Sequence, residues 1–451
     1  MPVETQKENR MGNAKMFPLI LSMSLPAMFS MLVQALYNIV DSYFVAQVSE
    51  KAVSALSLAY PIQNLLIAFA VGTAAGVTSL ISRRLGEGRR EEAESAATHG
   101  VVLSIATWLV FAVFGIFFTT PFFRMFESDL EIIHMGNQYL SICCIFSFGQ
   151  FVVTMLEKIL QATGDMFWPM IFQLVGALIN IVVDPILIFG WFGLPAMGVT
   201  GAAISTVGGQ ILSMVLAIVV TAKRQSIRIS LYGFRFQSDI VKDIYAVGIP
   251  AIVMQAISTV MNMAINAILA AFSTAAYTVF GLYFKLRSFV FMPVLGLNQG
   301  LMPIMGYNYG AKKKKRLIQS FYQGCGIALA IMLIGVLAFM LFPGQLLGFF
   351  NPTEELLLVG IPALRIICLC FPMAALGLVS SNMYQAIGRG NYSLVMSLMR
   401  QLVVLVPVAW LLAKVTNDVG MVWWAFPIAE AVSLAVSAMF FGHLYKTELK
   451  K

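Results

Sequence analysis

Long apolar runs alternate with short polar ones along almost the whole chain. Twelve such runs stand out, at roughly 16–46, 52–82, 95–119, 132–156, 167–190, 199–222, 243–271, 276–306, 317–342, 358–384, 393–413 and 419–445. About 20 consecutive apolar residues cross the hydrocarbon core of a bilayer as a helix, so each run predicts one membrane span. Composition strengthens this picture: the 451 residues are 59% hydrophobic and only 11% charged, whereas soluble domains are about a quarter charged. The N-terminus is polar for about fifteen residues and the first apolar run is too long for a cleavable signal, so none is expected.

The second half of the chain repeats the first. Laying Pro26 on Pro250 aligns "PAMFSMLVQALYN" with "PAIVMQAISTVMN" without a gap. Asn38 then meets Asn262, and Gly72, Gly76 and Gly86 meet Gly296, Gly300 and Gly310. The same offset persists far downstream, where Gln161–Gly164 falls on Gln385–Gly388. An internal repeat with an even number of spans places both halves in the same orientation. The expected fold is therefore all-α and polytopic: twelve transmembrane helices in two six-helix bundles related by a pseudo-two-fold axis along the membrane normal. The lobes are expected at 1–222 and 243–451, joined by a basic cytoplasmic linker, 223–242.

Charge sets the orientation. With the N-terminus inside, inner loops and tails hold 22 of the 29 Lys and Arg and outer loops hold three, Lys51, Arg124 and Lys414. That is the positive-inside pattern, and it predicts a multi-pass protein of the cytoplasmic membrane with both termini in the cytoplasm. The net charge of +8 is then met by anionic lipid and calls for no nucleic acid. The five cysteines fall within spans without C-x-x-C spacing, and the three histidines are scattered, so these residues are read as packing rather than as a metal or redox site. "GEGRREEAE" lacks the following Gly-Lys-Ser/Thr of a phosphate loop; no nucleotide or other cofactor is expected.

The informative residues are polar ones inside spans. Gln34, Asn38 and Asp41 are spaced i, i+4, i+7 and share one face of the first helix. Asp184 lies in "NIVVDPILIFG" with Asn180 one turn earlier. Each acid sits six residues before an outer helix end, placed at Gln47 and Gly190, or about 9 Å below it. Thr206 on the sixth span reaches the depth of Asn180. Acids in hydrocarbon are costly and mark ion or proton paths. The repeat sharpens the point: the positions equivalent to Asp41, Asn180 and Asp184 are Ile265, Val404 and Val408. The fold does without these polar groups in its second copy, so their role in the first is functional. Other intramembrane charges, Lys285, Arg287, Arg365, Arg400 and Glu430, are expected either to line the second bundle or to snorkel and pair, and Glu430, at the position matching Thr206, is a candidate for a second ionisable site.

The stretches "YNIVDSYFVA", "LISRRLGEG", "LQATGD", "NIVVDPILIFG", "GVTGAAIST" and "GLNQGLMPIMGYNYGAKKKKR" resemble the multidrug and toxic compound extrusion (MATE) transporters, most closely their prokaryotic DinF-like and MepA-like branch. The similarity covers essentially the whole chain. It implies export of amphipathic organic cations in exchange for H⁺ or Na⁺. It also implies a coupling site formed by the acid on the first helix, Asp41, and the Asn180/Asp184 pair on the fifth, with Thr206 and the fourth-helix Tyr139 nearby. The first helix is implied to bend at Pro26. A substrate cavity is expected around Met31, Gln34 and Asn38 on the first span and Gln255 and Asn262 on the seventh. Chemistry alone leaves the ion open. Burial favours the neutral form of a carboxylate, and a second carboxylate nearby reinforces this, which suits a proton carrier. Deprotonated, Asp41, Asn180, Asp184 and Thr206 offer oxygen ligands for Na⁺. Membrane lipid and small cationic drugs are the expected partners, and the chain is expected to act as a monomer, not as an enzyme. The alternative is a lipid-linked saccharide flippase of the same superfamily, whose anionic cargo would favour central basic residues.

Overall fold

A computed structural model of the chain describes residues 10–224 and 226–449, and the side chains of residues 41–43, 45, 46 and 449 lie outside that description. The described residues form helices and connecting turns, with no strand among them. Eleven helices are long and apolar enough to cross a membrane, and a bent pair makes a twelfth span. They are α1 (Met16–Ala46), α2 (Glu50–Gly86), α3 (Arg90–Phe117), and α4, the pair Leu130–Ile145 and Phe148–Ala162. The first half closes with α5 (Phe167–Phe189) and α6 (Gly198–Arg224). The second half runs α7 (Ser238–Ala270), α8 (Thr274–Gly310), α9 (Lys314–Leu341), α10 (Glu354–Ala386), α11 (Gly390–Thr416) and α12 (Val419–Glu448). Twelve spans were expected and twelve are accommodated.

The offset that lays Pro26 on Pro250 recurs in the helix ends. Glu50–Gly86 maps onto Thr274–Gly310, and Arg90–Phe117 onto Lys314–Leu341. The capping chemistry repeats as well: Ser49 accepts from the Ala52 N–H at 3.0 Å, and its counterpart Ser273 from the Ala276 N–H at 3.1 Å. A serine hydroxyl at this position satisfies one of the orphan donors of a helix start.

Three spans are less regular than their sequence suggests. In α4 the two segments meet at 43° although neither Pro nor Gly occupies the break at Phe146–Ser147. Side chains take over the interrupted ladder instead. Ser147 Oγ donates to the Cys144 carbonyl at 2.8 Å, and Trp108 Nε1 donates to the Ile145 carbonyl at 2.9 Å. Insertion of such groups is a recognised cause of a kink. The matching place in α10 is a 3₁₀ turn at Cys368–Cys370. In α11, Met399–Leu405 forms π-helical turns.

By packing, the chain falls into two compact units, Phe29–Ile252, and Val253–Lys451 together with the start of the chain as far as Met28. The lobes read from the sequence, 1–222 and 243–451, follow the repeat; the packing units cut within α1 and α7. Glycines explain where these N-terminal helix portions go. In one unit Gly72 faces the backbone of Gly248 and Ile252 on α7, and Gly76 faces the Ile244 carbonyl. In the other, Gly296 faces Ala27 and Met28 on α1, and Gly300 faces Met23 and Ser24. A Cβ at any of the four would lie within 3.0 Å of the opposing chain, so only glycine lets these helices touch. The basic segment after α6 belongs to the first unit and runs along the N-terminal part of α3. Arg90 Nη2 donates to the Ser226 carbonyl at 3.0 Å, and the Gln237 N–H to His99 Nε2 at 2.9 Å.

Candidate ion-coupling site

The site begins with a stripe of small residues on α6. Gly201, Ser205, Gly209, Ser213 and Ala217 recur every four residues and are all buried, so they form one narrow ridge down the helix. α5 packs directly on this ridge. A Cβ on Gly209 would sit 2.9 Å from the Gly176 carbonyl oxygen, and one on Gly201 would sit 2.7 Å from the Leu187 carbonyl. Hydroxyls in the stripe bond across the seam: Ser213 Oγ donates to the Phe172 carbonyl at 2.9 Å and Ser205 Oγ to the Asn180 carbonyl at 3.3 Å. Close approach and interhelical hydrogen bonding are how helices hold together where no hydrophobic effect acts between them.

That seam brings three predicted residues together. Asp184 is fully buried and Asn180 nearly so. Oriented so that its amide nitrogen faces the carboxylate, Asn180 donates to Asp184 Oδ2 at 2.7 Å. Its oxygen then accepts from the Thr206 hydroxyl at 3.2 Å and the Thr206 N–H at 3.1 Å. This orientation satisfies donors and acceptors on both sides of the amide. Pro185 follows Asp184 and cannot donate to the carbonyl one turn back, and α5 closes at Gly190 with φ 73° and ψ 41°. Asn180 is nine residues from that end and Thr206 eight from the start of α6, which places both roughly 12–14 Å deep.

The remaining predicted residues are distributed differently. Asp41 lies on α1, and its side chain is among those outside the described residues. Tyr139 is buried on α4, where its hydroxyl accepts from Gln63 Nε2 at 3.0 Å. Gln63, an amide in the apolar run of α2, is a partner that sequence reading missed, as is Ser205; both stood out only as polar residues in apolar surroundings. Gln34 and Asn38 are exposed and Met31 half-buried on α1. Gln255 is exposed on α7, in the second unit, where Asn262 is half-buried and its Oδ1 meets no hydrogen-bond donor among the described residues. Pro26 lies inside a continuous α1.

The equivalent seam in the second half keeps the stripe and changes the chemistry. Ala425, Ala429, Ser433 and Ser437 line α12, but Asn180 and Asp184 give way to Val404 and Val408, and Gly176 to Arg400. Arg400 Nη1 reaches Glu430 Oε1, the counterpart of Thr206, at 3.2 Å.

Family comparison matches this duplication. The MatE family model matches twice, at residues 26–186 and 250–411, so its two copies begin at the same pair of prolines that the internal repeat superposes. The chain belongs to the MatE family. Among curated proteins it is similar to the multidrug export protein MepA of Staphylococcus haemolyticus, 25% identical over 439 residues that cover 97% of this chain and 95% of the relative. MepA of Staphylococcus aureus is 24% identical over the same length, covering 96% and 95%. Among solved structures, an outward-facing multidrug resistance MATE transporter of the MOP superfamily superposes with a TM-score of 0.93 at 26% identity, covering 99% of this chain and all of that one. A MOP superfamily transporter from Pyrococcus furiosus, described as having a binding pocket of reverse polarity, gives 0.92 at 26% identity over the full length of both.

Proposed function

We propose that this MatE-family protein is a secondary active exporter of amphipathic organic cations. It resides in the cytoplasmic membrane with both termini inside and exchanges its cargo for protons by alternating access. The observation that carries this reading is the buried Asp184–Asn180–Thr206 contact, present in one repeat, while in the other Asn180 and Asp184 give way to valines and Thr206 to Glu430. A carboxylate excluded from water carries a desolvation penalty of several kcal/mol when charged. In the proposed cycle this carboxyl group is the one that takes up and gives back the coupling proton as access alternates. Asp41 on α1 is the second acid of the proposed coupling site.

With its amide nitrogen turned to Asp184, Asn180 serves the carboxyl group as a hydrogen-bond donor, and this is the arrangement on which the proton reading is built. The names of the MepA relatives support drug-like cargo. Pro26 supports bending of α1: it removes the hydrogen bond to the Ser22 carbonyl and lies two residues before the chain passes from one packing unit to the other at Met28–Phe29.

The test is efflux of ethidium from proteoliposomes under an imposed pH gradient or Na⁺ gradient, each alone. Wild type is expected to respond to the pH gradient, and Asp41→Asn and Asp184→Asn to lose that response while still reaching the membrane. Undiminished efflux in either variant would remove that acid from the coupling site, and a response to Na⁺ alone would overturn the proton assignment.

A further inference from the structure

The second bundle carries charges that the coupling site does not use. Arg287 stands on α8, Arg400 on α11 and Glu430 on α12, each well inside its helix. At about 1.5 Å per residue each is roughly 15–20 Å from the start of its helix, near the middle of the span. Packing brings the three together. The Tyr283 ring on α8 meets Phe426 on α12 at 6.1 Å, and one turn further along those same helices stand Arg287 and Glu430. Glu430 in turn is bridged by Arg400 at 3.2 Å. Tyr283 lies in the fields of Arg287 and Glu430, and the buried Cys370 in those of Glu430, Arg287 and Arg400.

Of the two guanidinium groups, only that of Arg400 bridges the carboxylate. Arg287 has no carboxylate within bridging distance among the described residues; its guanidinium is held over the Phe291 ring at 4.0 Å, with Phe284 at 5.4 Å. Phe291 is itself fixed against Phe371 of α10 at 5.2 Å. Stacking uses the face of the guanidinium and leaves its N–H donors, which lie in the plane, to find an acceptor. A cation at this depth is expensive unless it has a partner or a task. The backbone is irregular at the same level, with the 3₁₀ turn Cys368–Cys370 and the π-helical turns Met399–Leu405, and π-helical turns often mark functional sites.

We propose that the second bundle holds an anion site in which Arg287, with Arg400 beside it, binds a carboxylate. The fork of an arginine matches the two oxygens of that group. Glu430 keeps Arg400 in place and prevents the cluster from carrying a double positive charge when the site is empty. Cation-bearing cargo with a carboxylate, or a free organic acid, could supply the ligand. The first of these sources rests on the exporter reading above, while the site itself does not.

Two measurements on the full-length protein test this. Sodium benzoate is titrated into purified protein by calorimetry. Wild type should bind it saturably, Arg287→Gln should bind it about tenfold or more weakly, the scale of a charge-assisted contact, and Arg287→Lys should retain part of the affinity. Absence of saturable binding in wild type, or equal binding by a folded Arg287→Gln variant, would overturn the site. In proteoliposomes, export of a xanthylium dye is then compared between its free acid and its methyl ester, which differ only in the carboxylate. A fall in the acid-to-ester ratio in Arg287→Gln identifies the ligand as cargo. An unchanged ratio together with lost benzoate binding assigns the site to free organic anions. Ester export by wild type reports on the exporter reading separately, so the two can fail independently.

Discussion

The α5–α6 seam makes a quantitative prediction. A methyl group added at Gly201 would sit 2.7 Å from the Leu187 carbonyl carbon and oxygen, whereas ordinary van der Waals contact begins at 3.4 Å. Because the obstructing atoms are backbone, α6 has to retreat from α5 by about 0.7 Å to restore an ordinary contact. Thr206 lies five residues further along α6, about 7.5 Å away, and moves with it. The Asn180–Thr206 hydroxyl bond, 3.2 Å long at present, would stretch to about 3.9 Å and cease to be a hydrogen bond. Overpacking costs about 1–3 kcal/mol and the lost bond about 1 kcal/mol more. Gly201→Ala should therefore lower the melting temperature of the purified protein. In proteoliposomes it should also loosen the dependence of ethidium efflux on the pH gradient, since Asn180 is no longer anchored on both sides. Gly208→Ala is the control, because a Cβ there has nothing within 4 Å. If Gly201→Ala melts and transports like Gly208→Ala, the seam does not position the site and the reasoning fails.

Two further predictions concern charges away from that seam. Arg400→Leu leaves Glu430 alone at mid-membrane and should destabilise the protein by about 3 kcal/mol, whereas Arg400→Leu with Glu430→Leu should recover most of the loss; a double variant no better than the single one in thermal melts would contradict the pairing. Outside the membrane, Asp129 caps α4 by accepting from the Glu131 N–H at 2.9 Å, and its carboxyl is held below the ordinary value chiefly by its hydrogen bond with Lys51. A depressed carboxyl adds stability above its unfolded pKa of about 4 and loses it as pH falls through the folded value. The melting-temperature gap between wild type and Lys51→Met should accordingly be present at about pH 7 and shrink at about pH 3; a gap that widened on acidification would refute the sign.

Much of the candidate site was legible because its chemistry conflicts with its surroundings. Asp184, Asn180 and Thr206 are polar groups in apolar helices, and helical spacing alone put them at one depth. Their lateral meeting was not legible, since it depends on the small-residue ridge of α6 fitting against Gly176, and many apolar helices carry small residues without touching. Tyr139 shows the same gap: the family resemblance named it, but its hydrogen bond to Gln63 required knowing which face of α2 turns toward α4. The break in α4 left no mark because it is stabilised by the Trp108 indole from another helix.

The linear chain already determined that there are two copies of one six-helix plan. Helix ends, serine caps and glycines recur at one constant offset because each is enforced by local physics: span length, an orphan N–H, a missing Cβ. Which helix lies behind each glycine is a different matter. Gly72 and Gly76 admit the N-terminal part of α7, while Gly296 and Gly300 admit the N-terminal part of α1, so each packing unit includes a piece of the other repeat's first helix. The two repeats present nearly equivalent grooves to nearly equivalent helices, and a sequence that specifies both equally well leaves the choice between them to packing in three dimensions.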